Sequence, residues 1–571
     1  MNSLAAKLQH SLARVPWLAP VLASLIVVAV YSFTVFHNPL GLRDGDPDFF
    51  YSMSEAARRI ILEYHQFPWW NPWVAGGIPL FADPQFGLFS IHTALTFVFG
   101  TVIGWKVAII AYILMGLFGF RKLFIDVFKT PQFTALLLSL TWALSWLWAA
   151  RGVGGHYTFF VLNFLPWLMW LYFHRQSIKK SWLKFGLLLA LLLNTSIHNM
   201  TFMSLVLFAV FVLADFVHES IKSKKGRFVL QALKERAIYF GKALLITLPL
   251  AGLKIYTTVA LSRDFNRAGM NPMEPFPGFE LLFQSLAGVR VPGMESAVGI
   301  GFGMVFLAVI AVGWAVWRYV FRNQKAQPIM QNTAFYAVLG IGFFTLTFGD
   351  SHSWLPYNIL RELPIFEETR VAVRWLIFAG LMIIFVVALL KTNKRWQRQV
   401  INAILIANLI VISAGTIRFL RENPYIVQDT SGDVQTAVIS QRSMWGTPRQ
   451  SAGEIDENLY SGVKNNVGQV TSMLIPYYDT RHNETFLCGE NIDSNCHFVR
   501  TDNAEVTYWS PNKITLKRTG GGPILLNMSL GKHWRVNGQY VFSGTKATNV
   551  NTPLYINDES KIITLDFAPK L

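Results

Sequence analysis

Long apolar runs separated by shorter polar stretches dominate the first 417 positions of the chain. A helix needs roughly 20 mainly apolar residues to cross a hydrocarbon core of about 30 Å. Eleven apolar segments predict transmembrane helices: residues 17–37, 103–121, 132–150, 159–173, 183–198, 199–217, 243–260, 297–319, 332–348, 371–390 and 400–417. The first segment is too long for a signal-peptide core and lacks a small-residue cleavage site, which predicts a retained anchor.

One further apolar segment, residues 86–102, does not fit this count. If it crossed the membrane, it would leave a turn of only a few residues and would reverse every later loop. We therefore predict a short helix that dips into the outer leaflet, since backbone at membrane depth is tolerated where protein buries it.

Composition supports a membrane protein. Only 15% of the residues are charged and 52% are hydrophobic, whereas soluble domains carry about 25% charged residues. The chain therefore cannot form a single soluble core.

The basic residues are distributed unevenly among the predicted loops. They concentrate in the N-terminus and in alternate loops, above all in residues 222–242. The positive-inside rule makes these loops cytoplasmic. Because eleven spans are an odd number, the C-terminus is then predicted outside. This asymmetry accounts for much of the net charge of +17, which is therefore not interpreted as a sign of nucleic-acid binding.

The pattern changes after residue 417. Residues 418–571 are rich in Asn, Thr, Ser and Gly and contain short runs in which apolar and polar residues alternate, such as 513–517, 523–527 and 562–567. Such alternation predicts antiparallel strands. We expect a transmembrane domain at 1–417, with a large first outer loop at 38–102, followed by an extracytoplasmic, β-rich, β-sandwich-like domain at 418–571.

The only two cysteines, Cys488 and Cys496, fall in this last domain. A disulfide between them suits an oxidising compartment. Two free thiols remain the alternative, because pairing cannot be read from sequence.

Polar residues with chemical potential converge on the predicted outer side. The first loop holds three carboxylates at alternate positions, Asp44, Asp46 and Asp48, followed by aromatic residues set among Pro and Gly. Polar groups near hydrocarbon are costly and usually pair with each other or serve function. Lys254, inside an apolar span, could either snorkel to the outer interface or bind a phosphate.

The outer-side motifs resemble those of a known family. They are an acidic first loop, Trp70-Asn71-Pro72, Gly76-Gly77-Ile78-Pro79, Asp83-Pro84-Gln85, Gly155-His156 and a Leu-Pro-x-Phe-x-x-x-Arg-x-x-x-Arg pattern at 363–374. Together with Trp534-Arg535-Val536-Asn537-Gly538, they resemble bacterial YfhO-like membrane proteins. That family belongs to the GT-C superfamily of integral-membrane glycosyltransferases.

The resemblance implies sugar transfer from a polyprenyl-phosphate-linked donor to an extracytoplasmic glycan, lipid or protein acceptor in the bacterial cytoplasmic membrane. Such a reaction needs a base for the acceptor hydroxyl and cations for the leaving phosphate. We expect Asp46 as the base, with Asp44 and Asp48 as the next candidates. The expected phosphate-binding residues are Arg370, Arg374, Lys254 and Arg263. The expected sugar- or acceptor-binding residues are Trp70, Asn71, Asp83, Gln85, His156 and His198.

Several alternatives stay open at this point. Asp44, Asp46 and Asp48 could instead bind a divalent cation such as Mg or Mn, because hard cations prefer several oxygen ligands. The same carboxylates could simply cap a helix predicted at 52–62. The whole protein could be a transporter or flippase for a lipid-linked glycan, or a non-catalytic scaffold with a GT-C fold.

Overall fold

The computed structural model describes most of the predicted transmembrane domain, residues 1–417, and part of the C-terminal region, residues 418–571. The described residues are 18–36, 38, 40–41, 46–73, 77–223, 226–262, 278–289, 295–322, 331–363, 366, 369, 371–390, 394–423, 438–440, 459–464, 467–469, 503–529, 534–540 and 553–568. Asp44, Arg263, Arg370, Cys488 and Cys496 lie outside them, so the predictions for these five residues remain predictions.

The described chain is mostly helical as far as residue 423. Its α-helices are α1 (Leu18–Val35), α2 (Asp46–Leu62), α3 (Ile91–Phe99), α4 (Thr101–Asp126), α5 (Gln132–Ala143), α6 (Trp146–Val153), α7 (Leu165–Phe173), α8 (Ser181–Thr195), α9 (Asn199–Ser223), α10 (Gly226–Ser262), α11 (Phe279–Ala287), α12 (Phe302–Arg322), α13 (Thr333–Leu346), α14 (Pro356–Arg361), α15 (Leu376–Ala388), α16 (Arg395–Glu422) and α17 (Leu459–Lys464). Two 3₁₀ helices, Tyr157–Phe164 and Ala372–Trp375, lead into α7 and α15.

Among the described residues, six helices are long and apolar enough to cross a membrane. They are Thr101–Asp126, Gln132–Val153, Asn199–Ile221, Val229–Ala260, Phe302–Val320 and Arg395–Glu422. The other five predicted segments are also helical, but their apolar helices are shorter. A membrane-type helical region followed by a small β-rich region is therefore confirmed. A count of eleven spans stays a prediction.

Most of the described helices belong to one of two compact units. The helical unit comprises residues 1–39, 106–252 and 269–424. Polar side chains inside it connect neighbouring helices. Asn408 of α16 accepts a hydrogen bond from the Gly303 backbone N–H at 3.0 Å and donates to the Ile300 carbonyl at 2.9 Å. Arg236 of α10 pairs with Asp215 and Glu219 of α9 at 2.7 and 2.8 Å.

The mixed unit comprises residues 40–105, 253–268 and 425–571. The sequence assigns the first outer loop to the transmembrane domain, yet the structure groups this loop with the C-terminal residues. The described strands of the loop form a short antiparallel hairpin between β1 (Trp70–Asn71) and β2 (Ile78–Pro79).

A five-stranded sheet is the main β structure of the mixed unit, with the order β5-β6-β11-β8-β9 and antiparallel pairing. Its strands are β5 (Ala504–Ser510), β6 (Lys513–Arg518), β8 (Trp534–Val536), β9 (Gln539–Tyr540) and β11 (Ile562–Phe567). A second pair joins β7 (Ile524–Ser529) to β10 (Pro553–Ile556), and β3 (Val438–Ser440) runs parallel to β4 (Val467–Gln469). Alternate residues such as Ile514, Leu516, Ile563 and Leu565 form the core.

The tight turn between β8 and β9 explains the Asn-Gly pair of the Trp534–Gly538 motif. Asn537 and Gly538 have φ values of +47° and +83°. Two successive positive φ angles are the requirement of a type I′ hairpin, for which Asn-Gly is the favoured pair.

Two boundaries near the first loop bear on the candidate site. The helix expected at 52–62 begins earlier, at Asp46, because Pro47 suits a first helical turn and both flanking carboxylates favour the positive end of the helix dipole. The apolar segment 86–102 contains the short helix α3, capped at its start by the Ser90 hydroxyl. A short helix is thus confirmed there, and its position in a leaflet stays a prediction.

Candidate functional site

The two described carboxylates of the predicted triplet, Asp46 and Asp48, differ in their surroundings. Asp46 and Asp48 both lie in the first turn of α2. Residues two apart on a helix point to different faces. Asp46 is partly exposed, whereas Asp48 is fully buried. The two carboxylates therefore have different environments and different uses.

Asp48 anchors part of the C-terminal region onto α2. Its carboxylate accepts a hydrogen bond from the Tyr460 backbone N–H at 3.0 Å. The Tyr460 ring meets Tyr51 edge to face, with ring centroids 6.4 Å apart. At the other end of α17, Arg59 donates to the carbonyl oxygens of Val463 and Lys464. A carboxylate used in this way fits a structural role better than a catalytic one.

The buried face of α2 continues from Asp48 with polar residues at helical spacing. Ser52 and Glu55 follow four and seven positions later, and both are buried. Glu55 accepts a hydrogen bond from the Thr101 hydroxyl and pairs with Arg58 at 3.2 Å. These contacts fix α2 in place, so the partly exposed Asp46 sits on a rigid helix.

Trp70 and Asn71, predicted to contact sugar or acceptor, are buried in the mixed unit. Trp70 is 2% exposed and lies in the core of the five-stranded sheet, with its ring 5.7 Å from that of Trp534. Asn71 is also buried and accepts a hydrogen bond from the Trp73 backbone N–H at 3.0 Å. Trp70 therefore has no open face on which a sugar could stack, and its interpretation as a sugar platform is corrected.

Lys254 binds protein backbone. Its ammonium donates to the carbonyl oxygens of Phe81, at 2.7 Å, and of Asp83. The side chain is buried, which excludes snorkelling to an interface. Asp83 in turn accepts a hydrogen bond from the Gln85 backbone N–H at 2.8 Å, closing a tight turn. The structure thus brings Lys254, Asp83 and Gln85 together as the anchor and turn of a loop. Their roles in binding phosphate, sugar or acceptor stay predictions.

In the helical unit, two arginines, a glutamate and a histidine surround one phenylalanine ring. We name this group the arginine cluster: Arg151, His156, Phe159, Glu295 and Arg374. Arg374 grips Glu295 with two nitrogens, Nε on Oε2 at 3.0 Å and Nη2 on Oε1. Arg151 donates to Oε2 of the same carboxylate at 2.7 Å and to the Glu295 carbonyl.

The histidine of the arginine cluster has a defined tautomer. Arg151 Nη1 lies 2.6 Å from His156 Nδ1. Because a guanidinium only donates, Nδ1 accepts and the ring proton resides on Nε2. Nε2 lies 3.8 Å from Glu295 Oε1. His156 thereby presents an N–H toward the same carboxylate that the arginines hold.

The Phe159 ring forms an apolar floor beneath these charges. The guanidinium carbons of Arg151 and Arg374 lie 4.0 and 5.2 Å from its centroid, and the His156 ring stacks on it. Cations over an aromatic face gain electrostatic stabilisation. Burial by itself would raise the pKa of Glu295, but the positive charges of Arg374 and Arg151 outweigh it and hold this pKa well below its ordinary value. Glu295 is therefore a carboxylate at neutral pH.

The remaining predicted residue, His198, lies at the turn that precedes α9. Its backbone carbonyl accepts a hydrogen bond from the Thr201 N–H at 2.8 Å. This contact starts the helix and assigns no chemistry to the ring.

A divalent-cation site does not fit the described acidic residues. Asp46 and Asp48 diverge on α2, and the Asp48 carboxylate already holds Tyr460. In the described part of the chain, no group of three or more His, Cys, Asp or Glu residues could hold a metal ion.

Arg151 and Glu295 were not predicted as site residues. Their signal in the sequence is weak: Arg151 is a charge at the end of an apolar span, and Glu295 stands alone in a turn. Only the folded chain joins them, 144 positions apart.

Comparison with known proteins identifies no relative: no protein-family model matches the sequence, and no curated protein matches it.

Proposed function

We propose that this chain is an integral-membrane glycosyltransferase that moves a sugar from a polyprenyl-phosphate-linked donor to an extracytoplasmic acceptor. The observation that carries the proposal is the contrast between Asp46 and Asp48 on α2. One carboxylate is bound into the structure, and the other is partly exposed at the start of a helix whose remaining turns are held by buried contacts. A general base needs this combination of access and fixed position.

In the proposed reaction, Asp46 accepts the proton of the acceptor hydroxyl as its oxygen attacks the anomeric carbon of the donor. The new bond from that carbon to the acceptor oxygen forms while the bond to the phosphate oxygen breaks. The polyprenyl phosphate leaves with the bonding electron pair. Fixed cations aimed at the departing oxygen lower the barrier.

The motifs of the YfhO-like family supply the substrate class. We further propose eleven spans, a cytoplasmic N-terminus, an extracytoplasmic C-terminal domain and a bacterial cytoplasmic membrane location. The six long apolar helices support membrane insertion.

The test is sugar transfer by the purified full-length protein in lipid, with a panel of radiolabelled polyprenyl-phosphate sugars. Asp46→Asn is expected to lower turnover roughly 100- to 10,000-fold, because general-base catalysis contributes that much. Asp350→Asn, which changes an exposed carboxylate, serves as the matched control.

Asp48→Asn separates the two carboxylates of α2. Its amide oxygen can still accept the Tyr460 N–H, so this variant is expected to retain most of the activity. The opposite ranking, with Asp48→Asn inactive and Asp46→Asn active, would reassign the base. Saturable lipid binding without turnover of any donor would refute the enzyme and favour a scaffold or a transporter.

A further inference from the structure

Helix α3 buries its polar side and exposes its apolar side. Three polar residues of the helix face inward and are at most 4% exposed: His92, Thr93 and Thr96. Val98 and Phe99 face outward and are 72% and 49% exposed. A surface helix of a soluble protein has the opposite arrangement, with the apolar side buried and the polar side in water. The arrangement in α3 therefore indicates apolar surroundings on its outer side.

Contacts of the inner side hold α3 in this orientation. The Thr93 hydroxyl donates to the Gly87 carbonyl at 2.6 Å, and the His92 ring stacks on the Trp105 ring with centroids 4.2 Å apart. The Trp105 indole N–H in turn donates to the Ser54 hydroxyl of α2 at 2.9 Å. Rotation of the helix would break these contacts, and buried polar groups without partners are costly. The outer side of α3 therefore stays outward.

The chain places α3 beside the start of a membrane-type helix. Gly100, with φ +78°, ends α3, and α4 begins at the next residue. A Cβ added to Gly104 would lie 2.4 Å from the Thr96 Cα atom, so the chain reverses and α3 packs against the first turn of α4. In the described part of the chain, α4 is one of six helices long and apolar enough to cross a membrane. Because a span ends where the hydrocarbon ends, α3 lies at the level of the membrane surface.

The length and charge of this segment suit a helix that lies in the membrane surface. The nine residues of α3 measure about 14 Å, less than half of a hydrocarbon core of about 30 Å, so α3 cannot cross it. Between Asp83 and Lys106 the sequence contains no Asp, Glu, Lys or Arg. Protein–protein interfaces have a polar rim, whereas contact with acyl chains disfavours charge. Lipid therefore fits the outer face better than a protein partner does.

We propose that α3 is an interfacial helix whose outer face binds the acyl chains of membrane lipid and holds the mixed unit on the lipid surface. The lipid-binding residues are four exposed ones: Phe89, Ala94, Val98 and Phe99. Phe89 precedes the helix and extends the face, since it is 56% exposed and its ring meets that of Phe81 edge to face. Lipid binding of this kind involves neither a donor sugar nor Asp46, so it does not depend on the proposed function.

Photocrosslinking of the full-length protein in phosphatidylcholine vesicles identifies what covers this face. The variants are Phe89→p-benzoyl-Phe and Phe99→p-benzoyl-Phe, in which a photoreactive ring replaces a phenylalanine. The same replacement of Tyr508, an exposed aromatic residue of β5 in the same unit, is the matched control. The same replacement of Val309, an exposed residue of α12, calibrates the yield of lipid adducts. Mass spectrometry identifies each adduct.

Lipid adducts at Phe89 and Phe99, and none at Tyr508, are expected. Adducts with another part of this chain or with a second copy would show that protein covers the face, and would overturn the lipid contact. Lipid adducts at Val309 with none at Phe99 would overturn it as well, because the outer side of α3 would then face water.

Val98→Asp gives a second readout whose sign depends on the surroundings of α3. A carboxylate that faces acyl chains is costly, so amide hydrogen exchange of residues 91–99 in vesicles is expected to become about tenfold faster. If the side chain faced water, the same change would give the helix a polar outer side and leave exchange unchanged or slower. Either of these results would contradict the lipid contact.

Tyr508→Asp is the matched control for this measurement, and it should leave the exchange of residues 91–99 unchanged. If Val98→Asp fails to fold, the adducts at Phe89 and Phe99 still decide. No sugar transfer enters either experiment. Lipid adducts in a protein that transfers no sugar would therefore count against the proposed function and leave the lipid-binding face of α3 standing.

Discussion

Buried charged side chains in this protein bind specific protein groups. Lys254 illustrates the point in the mixed unit: its ammonium donates to two backbone carbonyls, those of Phe81 and Asp83. An ammonium buried without such acceptors would cost several kcal/mol. The side chain therefore fixes the loop that follows β2, although its position in an apolar span suggested a ligand.

Replacing Lys254 by Met is expected to loosen that loop. Hydrogen bonds to a charged donor contribute about 1.5–3 kcal/mol each, partly offset because the buried charge is removed as well. Amide hydrogen exchange across residues 80–86 should therefore become faster by at least about tenfold, the equivalent of 1.4 kcal/mol. Lys242→Met, an exposed lysine of the same helix, is the control. Equal exchange rates of residues 80–86 in Lys254→Met and Lys242→Met would show that the Lys254 hydrogen bonds do not hold the loop.

For single residues, the sequence predicts which side chains belong to a polar cluster better than it predicts the residues that they contact. The resemblance predicts Arg374 and His156 as site residues, and the structure joins them through Glu295. The sequence does not mark Glu295 as a site residue, because its contacts are with two arginines that are distant in sequence. Trp70 was assigned to sugar stacking because nothing local reveals that Trp534 covers it.

Among the elements, the first-loop hairpin depends on a glycine. Gly77 has φ +105°, and a Cβ added there would lie 2.4 Å from the Trp70 ring. Both the backbone angle and the close approach exclude a side chain. Gly77 thus lets the hairpin backbone lie directly against the Trp70 ring, which packs in the core of the five-stranded sheet.

Gly77→Ala is expected to destabilise the mixed unit. The strained φ costs about 1–3 kcal/mol, and displacement of the Trp70 ring adds an overpacking cost of similar size. Hydrogen exchange of β6 and β11 should accelerate in the full-length protein. Gly521→Ala is the control, because a Cβ there meets nothing within 4 Å. Unchanged protection in Gly77→Ala would mean that Trp70 moves aside without cost.

The hydrophobic pattern predicts helices and strands of this chain well where apolar residues form a long run or alternate regularly with polar residues. Apolar runs located a helix at each of the eleven segments, and alternation located β11 at Ile562–Phe567. The start of α2 was missed because Asp46-Pro47-Asp48 looks like a polar loop, although the same residues suit a first helical turn. Most of the error therefore lies at element ends, where polar residues fit both helix and loop.

For the whole molecule, the informative feature is that the mixed unit is built from separate stretches of chain. Residues 40–105 supply α2 and the hairpin, and residues 425–571 supply the sheet and α17. Side chains join the two stretches at Trp70, Asp48 and Gln66, which donates to the Ser510 hydroxyl at 2.9 Å. The predicted boundary at residue 418 separates partners that share one core.

Truncation after Pro424 is therefore expected to damage the first loop. Trp70 would lose the aromatic and aliphatic core around it, and burial of such a ring contributes about 3–5 kcal/mol. Limited proteolysis of the truncated protein in lipid should cleave within residues 63–90, whereas the full-length chain resists. A first loop that remains protected after truncation would contradict this prediction.

The contact between β5 and the first loop also determines how long the loop stays without its partner during biosynthesis. Gln66 and Ser510 are 444 residues apart in the chain. At about 5–20 residues per second, the ribosome needs roughly 20–90 s to make the later partner. During that interval the hairpin and Trp70 have no sheet to cover them. We therefore expect the uncovered loop to be prone to aggregation in the nascent protein. We also expect the nascent protein to need chaperone protection until the last strand emerges.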